Sequence, residues 1–344
     1  TAETGGTTPG RRDLRISWVD EKGNASEPIS APVWYGVDAP DVPEAPTRVA
    51  AAPGNGVAVV SWSAPANDGG APIESYEVFS SSGNAGCFTS GALSCTVPGL
   101  TNGSVHSFTV RARNAAGPGR ISDSSALVIP RPTALITPLA TYQSSTSFRV
   151  SWGAEPGPNP MVGYDVRYRR AAWNGAFGSL TTWRTSTTAT SATFVPLKGS
   201  TYCFSARARE STGVLSAWTP ETCTAVPLDD RSVTRSSSWA ARTGSAYFAG
   251  TNVRTSQAGA TLTRTGVVAR RIALLATTCP DCGTVRVYWQ GSLIKTISLD
   301  TPTVVHRRLI TVASFPLTRV GTLVIRVSSS SKWVIVDGVA IRRN

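Results

Sequence analysis

The chain has 344 residues and a formal net charge of +12, from 33 Lys and Arg against 21 Asp and Glu, with two His. This length exceeds the roughly 100 residues of one β-sandwich and predicts about three domains. No apolar run approaches the ~20 residues of a membrane span. Two histidines exclude a metal site built from several histidine ligands.

The cysteines form three pairs of sequence neighbours. An even number of cysteines with local pairing predicts disulfides, and therefore an oxidising environment in which the protein is secreted or displayed on the cell surface. The spacing of Cys279 and Cys282 also occurs in thioredoxin-like redox motifs, but the βαβ context that such a motif needs is missing here. We therefore expect three structural disulfides, within the pairs Cys87 and Cys95, Cys203 and Cys223, and Cys279 and Cys282.

Residues 1–40 contain a polar leader and two strand-like runs, at 13–19 and 29–35. A two-stranded hairpin is marginally stable at best by itself. The runs and the turn between them resemble the last two strands of a bacterial Ig-like sandwich, which implies the end of a preceding domain. The alternative is that the hairpin completes a sheet in a neighbouring molecule by strand addition, through Ile16, Trp18, Val33 and Trp34.

The stretch 57–117 alternates apolar and polar residues in short runs that Gly, Pro, Asn or Asp close. This pattern predicts the half-buried strands of a β-sandwich. Trp62, Tyr76, Leu100 and the run from Phe108 to Asn114 resemble a fibronectin type III domain, which implies a domain at 41–131. His106 stands where this family carries a corner tyrosine, and we expect a buried packing histidine there.

Residues 132–228 carry the same marks, among them Trp152, Tyr164 and the corner tyrosine Tyr202. The resemblance therefore implies a second fibronectin type III domain. The cysteine pair of this region is predicted to join its last two strands across a hairpin. Trp218 lies in a segment similar to the tryptophan box of cytokine-receptor repeats, and we expect it to stack on the face of the sheet.

Residues 229–344 contain seven or more strand-like runs without helical periodicity, which predicts a jelly-roll β-sandwich. The order of these runs resembles the galactose-binding-like sandwiches and carbohydrate-binding modules of secreted bacterial proteins. With the Arg-rich, Ala/Gly/Thr-rich composition, it suggests a modular protein of the actinobacterial type. The predicted fold class is all-β, with tandem β-sandwiches following the Ig-like hairpin.

Catalytic signatures are missing from the sequence. It contains no HExxH, G-x-S-x-G, P-loop or dinucleotide-binding motif. A glycosidase needs two carboxylates at a set separation, and the C-terminal domain offers only Asp281, Asp300 and Asp337, the last in an apolar strand. We therefore predict a protein without enzymatic activity, and expect no cofactor and no metal ion.

The net positive charge of the chain is confined to the last domain. Residues 231–344 hold sixteen Lys and Arg against three Asp, a net charge of +13, whereas residues 1–230 hold seventeen basic against eighteen acidic residues. Such asymmetry favours attraction to a polyanion, although the arginines could serve solubility alone. The basic residues are scattered along strands without the aromatic signature of an OB-fold or RRM, so specific nucleic-acid recognition is not expected.

A sugar site needs an aromatic surface flanked by hydrogen-bonding groups. Strand alternation at 285–289 places Val285, Val287 and Trp289 on one face, and Arg286 and Tyr288 on the other. If the valines face the core, Trp289 is core and Tyr288 is exposed. The predicted ligand-binding residues are Tyr288, Arg286, Gln290, Trp239, Tyr247 and Trp333.

These observations predict an extracellular binding or adhesion protein in which the type III repeats act as a spacer. The basic C-terminal sandwich would bind cell-surface or cell-wall glycan of anionic character. One alternative is a self-associating filament subunit that pairs through the N-terminal hairpin. Another is the accessory tail of a larger secreted hydrolase.

Overall fold

The computed structural model describes residues 10–35, 40–83 and 85–344. Regular structure in this part of the chain is β-strand apart from two 3-10 turns, Asp230–Ser232 and Phe248–Gly250. The chain divides into two compact units, residues 1–131 and 132–344. The predicted all-β architecture of tandem sandwiches is confirmed. Among the described residues, no helix is long and apolar enough to cross a membrane.

The N-terminal hairpin is a two-stranded antiparallel sheet of β1 (Gly10–Ile16) and β2 (Ile29–Tyr35). Its connection turns at Asp20, whose carboxylate accepts hydrogen bonds from the backbone of Lys22 and Asn24 and from the Asn24 amide. The Asn24 hydrogen bonds are the main cause of a lowered pKa at Asp20. The sheet therefore has a defined turn, and the side chains it exposes bear on the strand-addition hypothesis.

The first sandwich packs a three-stranded sheet, β3-β4-β7, against a four-stranded sheet, β6-β5-β8-β9. Its core contains Trp62, Tyr76 and Phe108, and every second residue of Ala58–Ser63 points into that core. The strands are β3 (Thr47–Pro53), β4 (Ala58–Ser63), β5 (Ser75–Ser80), β6 (Ala85–Thr89), β7 (Ser94–Val97), β8 (Phe108–Asn114) and β9 (Gly117–Ile121).

The disulfide and the histidine predicted for the first sandwich can both be compared with the structure. The disulfide between Cys87 and Cys95 joins β6 to β7 and so connects the two sheets at one edge. His106 is 6% exposed and stacks on Phe108 with 6.5 Å between ring centroids. The predicted packing role of this histidine is confirmed.

The second sandwich repeats the strand order of the first, with sheets β10-β11-β14 and β13-β12-β15-β16. Cys203 and Cys223 are directly opposite on β15 and β16 and form the predicted disulfide across the hairpin. The Tyr202 hydroxyl accepts a hydrogen bond from the backbone N–H of Leu197 at 2.8 Å, as a corner tyrosine does. The strands are β10 (Ala134–Ile136), β11 (Phe148–Ala154), β12 (Met161–Ala172), β13 (Thr181–Thr187), β14 (Ser191–Phe194), β15 (Ser200–Glu210) and β16 (Thr222–Val226).

Trp218 stacks on the face of this sandwich, as predicted. The guanidinium groups of Arg167 and Arg207 lie over its ring, at 3.8 Å and 4.8 Å from the ring centre. Arg207 is held in place by Asp165, whose carboxylate accepts from the arginine Nε at 2.8 Å. The stack fastens the loop that carries Trp218 to β12 and β15 through cation–π contacts.

The C-terminal region forms one nine-stranded sheet in the order β19-β20-β25-β21-β24-β22-β23, with β17 paired to β25 and β18 to β21. Residues from both ends of this order share one hydrophobic core, so the sheet folds over on itself as a sandwich. The strands are β17 (Leu228–Asp229), β18 (Thr234–Arg235), β19 (Ala240–Thr243), β20 (Thr251–Thr255), β21 (Thr261–Thr278), β22 (Thr284–Trp289), β23 (Ser292–Ser298), β24 (Val305–Val327) and β25 (Val334–Arg342).

Two strands of this sheet are longer than the sequence pattern indicates. The sequence pattern indicates separate strand-like runs at 260–264 and 271–276, and at 309–312 and 322–327. Residues 261–264 and 271–276 are both parts of β21, and the other two runs are both parts of β24. Each strand contains register shifts. These bend the strand, and its hydrogen bonding to the neighbouring strand resumes after each shift. Gly266 lies in one such bend with φ of +68°, a conformation that favours glycine.

The second sandwich and the C-terminal sheet share buried surface within one unit. Residues 272–278 of β21 are all buried, as in a strand that is covered on both faces. Ile272 and Leu274 belong to the core of the C-terminal sandwich, whereas Leu275 and Phe248 join the aromatic core of the second sandwich. The second repeat is therefore part of the same compact unit as the basic C-terminal sandwich.

Candidate functional site

The positive charge of the C-terminal region is largely unneutralised. Of its sixteen basic side chains, Arg231 lies 2.6 Å from Asp229 and Lys332 lies 3.4 Å from Asp281. The described structure pairs no other Lys or Arg of residues 231–344 with a carboxylate. Some of the remaining arginines donate to backbone carbonyls instead, as Arg264 does to Ser232 and Arg307 to Ser245. The side chains of Arg286 and Arg326 are exposed and donate to no acceptor in the described part of the chain.

Two of these arginines face each other on the exposed side of the sheet. Val285, Val287 and Trp289 of β22 are buried and Arg286 is exposed, as the alternation predicts. Tyr288 lies on the predicted outer face, but it is half-buried and not exposed as expected. Arg286 is directly opposite Arg326 of β24, and the Arg326 guanidinium lies 5.6 Å from the centre of the Tyr288 ring. Like charges directly opposite across strands destabilise a sheet, so an anion bound there would relieve a repulsion. We call Arg286, Tyr288 and Arg326 the arginine–tyrosine face.

Gln290 lies in a cleft that includes none of the three residues of this face. It follows β22 with φ of +50°, and its side-chain oxygen accepts a hydrogen bond from the backbone N–H of Thr322 at 3.0 Å. A Cβ on Gly321 would lie 2.6 Å from the Trp289 indole, so the chain approaches the tryptophan closely here. The cleft is lined by Trp289, Gln290, Ser292, Ile294, Phe315, Arg319 and Val320.

The other three predicted residues lie apart from this face. The prediction is wrong for Trp239, which is 6% exposed and packed in the core, so that no sugar can stack on it. Tyr247 is half-buried, with its ring 5.7 Å from that of His306. Trp333 is 46% exposed, and the Arg254 guanidinium group lies over its ring, 4.4 Å from the ring centre. Sequence reasoning missed Arg326 and Arg254, because strand pairing across long separations brings them to the aromatic rings.

A buried group of carboxylates lies where β17 meets β25. Burial raises the pKa of Asp230 to about 7, assisted by its hydrogen bond to Asp229. Burial likewise raises the pKa of Asp337 to about 6, partly offset by the hydrogen bond from the Phe248 backbone. Burial opposes ionisation of Asp229 as well, but hydrogen bonds, first that from Arg231, lower its pKa. This group has the character of a structural network in which two acids ionise at higher pH than an exposed aspartate does.

Cys203, Glu221 and Cys223 are the three metal-ligand side chains that come within reach of a common ion in the described part of the chain. Both sulfur atoms are consumed by the disulfide between the two cysteines. Glu221 is bound to Arg169 at 2.6 Å. The arrangement therefore lacks thiolates for a metal ion and serves as a structural cross-link.

Comparison with known proteins places part of the chain in a family. Residues 44–127 match the model of the fibronectin type III domain. Chitinase A1 of Niallia circulans is 29% identical over 194 residues, covering 51% of this chain and 26% of that protein. Exoglucanase B of Cellulomonas fimi is 30% identical over 233 residues, covering 62% of this chain and 20% of that protein.

Among solved structures, the chicken interferon gamma receptor alpha chain aligns with 55% of this chain and 100% of its own length, at 18% identity and a TM-score of 0.37. The chain spans about a quarter and a fifth of the length of the two enzymes above. The sequence resemblance is confirmed for the first sandwich: residues 44–127 form a fibronectin type III domain.

Proposed function

We propose that this is a secreted, non-enzymatic modular protein that binds anionic glycan at the arginine–tyrosine face. The observation that carries the proposal is the unneutralised pair Arg286 and Arg326 beside Tyr288, in a region with sixteen basic and three acidic residues. The names of the two relatives, a chitinase and an exoglucanase, support an association with carbohydrate. The three disulfides support an oxidising, extracellular location.

Recognition would combine two contacts. The apolar face of a pyranose ring packs on Tyr288, whose position on the sheet is fixed by the buried residues on either side of it. The guanidinium groups of Arg286 and Arg326 donate charge-assisted, bidentate hydrogen bonds to a carboxylate or sulfate of the same sugar or the next one. The anion also removes the repulsion between the two arginines. An acidic polysaccharide is thereby preferred over a neutral one.

The absence of hydrolysis is part of the same proposal. Of the three acids of residues 231–344, Asp337 is fully buried. Asp281 and Asp300 lie together beside the disulfide of Cys279 and Cys282, where the Asp281 backbone N–H donates to the Asp300 carboxylate at 3.0 Å. A general acid and its partner carboxylate must flank the scissile bond together. The arginine–tyrosine face itself contains no carboxylate to fill either role.

The test is binding of the full chain to immobilised polygalacturonate, with cellulose as the neutral reference. We expect retention at about 0.1 M NaCl that is largely lost at about 1 M, where the Debye length is about 3 Å. Arg326→Gln should weaken binding about tenfold, or ~1.4 kcal/mol, and Tyr288→Ala should weaken it comparably.

Arg242→Gln is the matched control, because Arg242 is an exposed arginine of β19 away from this face. It should bind like the unaltered protein. Equal weakening by Arg242→Gln and Arg326→Gln would mean that net charge, not a site, governs binding. No retention of the unaltered protein at either salt concentration would contradict the proposal.

A second candidate function rests on the N-terminal hairpin. Ile16 and Val33 are 50% and 41% exposed on the two-stranded sheet, and Trp18, in the connection between its strands, is 61% exposed. The side chain of Trp34 lies outside the described residues. Exposed apolar strands can pair with a second chain, which would make the protein a filament subunit. Light scattering over a range of protein concentrations tests this: a constant monomer mass would exclude it.

A third candidate is that the chain is the accessory region of a larger secreted hydrolase. The two relatives are enzymes of which the matching region is about a quarter or a fifth. The reading frame that encodes the chain decides this directly. A catalytic domain fused to it would support the accessory role, and its absence would leave the independent binding protein.

A further inference from the structure

A second uncompensated pair of arginines lies where the second sandwich meets the C-terminal sheet. Arg271 of β21 and Arg342 of β25 are directly opposite each other. They share the face that, at Leu275, packs on the second sandwich. Arg270 precedes the pair at a register shift and is exposed. Burial lowers the pKa of Arg342, and the charges of Arg271 and Arg270 lower it further, while Tyr142 offsets them in part.

The Arg342 side chain also lines a groove of about 450 Å³ beside the first strand of the second sandwich. One side of the groove consists of the apolar residues around β10, and the other of the segment 219–223. Glu221, the acid in this lining, is bound to Arg169 at 2.6 Å. The groove thus combines an apolar wall with the Arg342 cation, and Glu221, the acid of the lining, does not neutralise that cation. It is lined by Ala134, Leu135, Ile136, Pro138, Leu139, Thr219, Pro220, Glu221, Thr222, Cys223 and Arg342.

The hydrogen bonds of Arg342 leave it able to take an external acceptor. Its Nε donates to the side-chain oxygen of Asn344 at 3.1 Å, which directs the guanidinium group. In the described structure its two terminal nitrogens have no protein acceptor. The five donors of a guanidinium group suit a planar or tetrahedral oxyanion. Arg342, a half-buried cation, lines the apolar groove, and Arg271 lies directly opposite it on the neighbouring strand. This arrangement fits a ligand with a charged end and an apolar body.

We propose that Arg271, Arg342 and this groove form an anion site for an amphipathic organic anion, whose carboxylate, sulfate or phosphate pairs with the arginines and whose apolar body lies along residues 134–139. The site is separate from the arginine–tyrosine face, because it uses the opposite half of the sheet and a wall of the second sandwich. It does not depend on whether that face binds glycan.

The experiment uses the full chain and p-toluenesulfonate, with p-toluenesulfonamide as a neutral analogue and sodium sulfate as the oxyanion alone. Isothermal titration should give binding of the sulfonate that exceeds that of sulfate, and no binding of the sulfonamide. Arg342→Gln and Arg271→Gln should each weaken sulfonate binding about tenfold. Arg342→Lys keeps the charge without the planar fork and should retain part of the affinity.

Thermal unfolding at low salt gives a second readout. The sulfonate should raise Tm of the unaltered protein, and Arg271→Gln should abolish that increase. Because it relieves the cross-strand repulsion, Arg271→Gln should leave Tm without ligand unchanged or higher. Arg242→Gln and Arg326→Gln should both retain sulfonate binding. Loss of binding in Arg326→Gln alone, undiminished binding in Arg342→Gln, or equal binding of the sulfonamide would overturn the proposal.

Discussion

Asp229 and Asp230 are adjacent in sequence, but the fold lowers the pKa of the first and raises the pKa of the second. The Asp229 carboxylate forms salt bridges with Lys198 and Arg231, with a nitrogen–oxygen distance of 2.6 Å in each, and stays ionised. Asp230 accepts a hydrogen bond from the Thr251 hydroxyl at 2.7 Å, but burial keeps its proton on at pH values where an exposed aspartate is ionised. Buried charge is tolerated where a counter-charge is at hydrogen-bond distance, and is otherwise neutralised by protonation.

This difference sets the pH dependence of stability. Folding raises the pKa of Asp230 to about 7 and that of Asp337 to about 6, from an unfolded value of 3.8. Both groups therefore contribute most to the free energy of unfolding when the pH is below 3.8. That contribution is lost as pH rises through 6 and 7. The lowered pKa of Asp229 adds no slope in this range, because its group is ionised in both states above about pH 5.

We therefore expect the free energy of unfolding of residues 132–344 to fall between about pH 4 and about pH 7. Asp230→Asn should flatten this decline while keeping an acceptor for Thr251. Thermal unfolding of the full chain at a series of pH values measures both. A decline of the same steepness in Asp230→Asn would show that another group causes it.

At the scale of elements, one tryptophan fastens a loop to the sheet of the second sandwich. Arg167 comes from β12, Arg207 from β15, and Trp218 from the segment before β16, so the stack connects three separate parts of the chain. Cation–π contacts are worth about 0.5–1 kcal/mol at exposed sites and more where they are desolvated. Two contacts on one ring make this loop a substantial contributor to the stability of the sandwich.

Trp218→Leu should lower the free energy of unfolding by about 1–3 kcal/mol, because two cation–π contacts are lost along with ring packing. Trp333→Leu is the comparison, since Trp333 meets a single arginine and is 46% exposed. Its loss should be smaller. Urea denaturation followed by circular dichroism measures the two variants. Equal losses would mean that the double stack stabilises no more than the single one.

At the scale of the whole molecule, residues 132–344 share cores across what the sequence presents as two domains. The backbone carbonyl of Trp173 accepts a hydrogen bond from Val268 at 2.9 Å, and the Arg264 guanidinium lies 3.8 Å from the Trp173 ring. Leu275 and Phe248 extend the aromatic core of the second sandwich. A fragment of the C-terminal sandwich alone would expose these apolar side chains. Binding experiments therefore require the full chain.

Leu275→Ala should destabilise both parts together, by about 2–5 kcal/mol for a buried leucine. Hydrogen exchange of the full chain, read by mass spectrometry, should show peptides from 132–228 and from 229–344 losing protection in parallel. Leu293→Ala, at a position 52% exposed, should change neither. Loss of protection confined to residues 229–344 would show that the two parts unfold independently.

Much of the architecture could be read from local patterns. Alternation of apolar and polar residues has a period of two, and it placed Val285, Val287 and Trp289 in the core and Arg286 and Tyr288 outside. Neighbouring cysteines paired as expected, because short loops or a β-hairpin bring them together. These signals act over a few residues, so the sequence alone was enough to determine the fold class, the fibronectin type III domain, the disulfides and the uneven distribution of charge.

The candidate sites depended on contacts between distant residues. Arg286 meets Arg326, and Arg271 meets Arg342, through strand register over long separations that no local pattern specifies. The burial of Trp239 and the shared core at Leu275 also follow from which faces pack together. Only the tertiary structure decided which arginines lie together without a counter-ion, because the pairing of β-strands is a non-local choice.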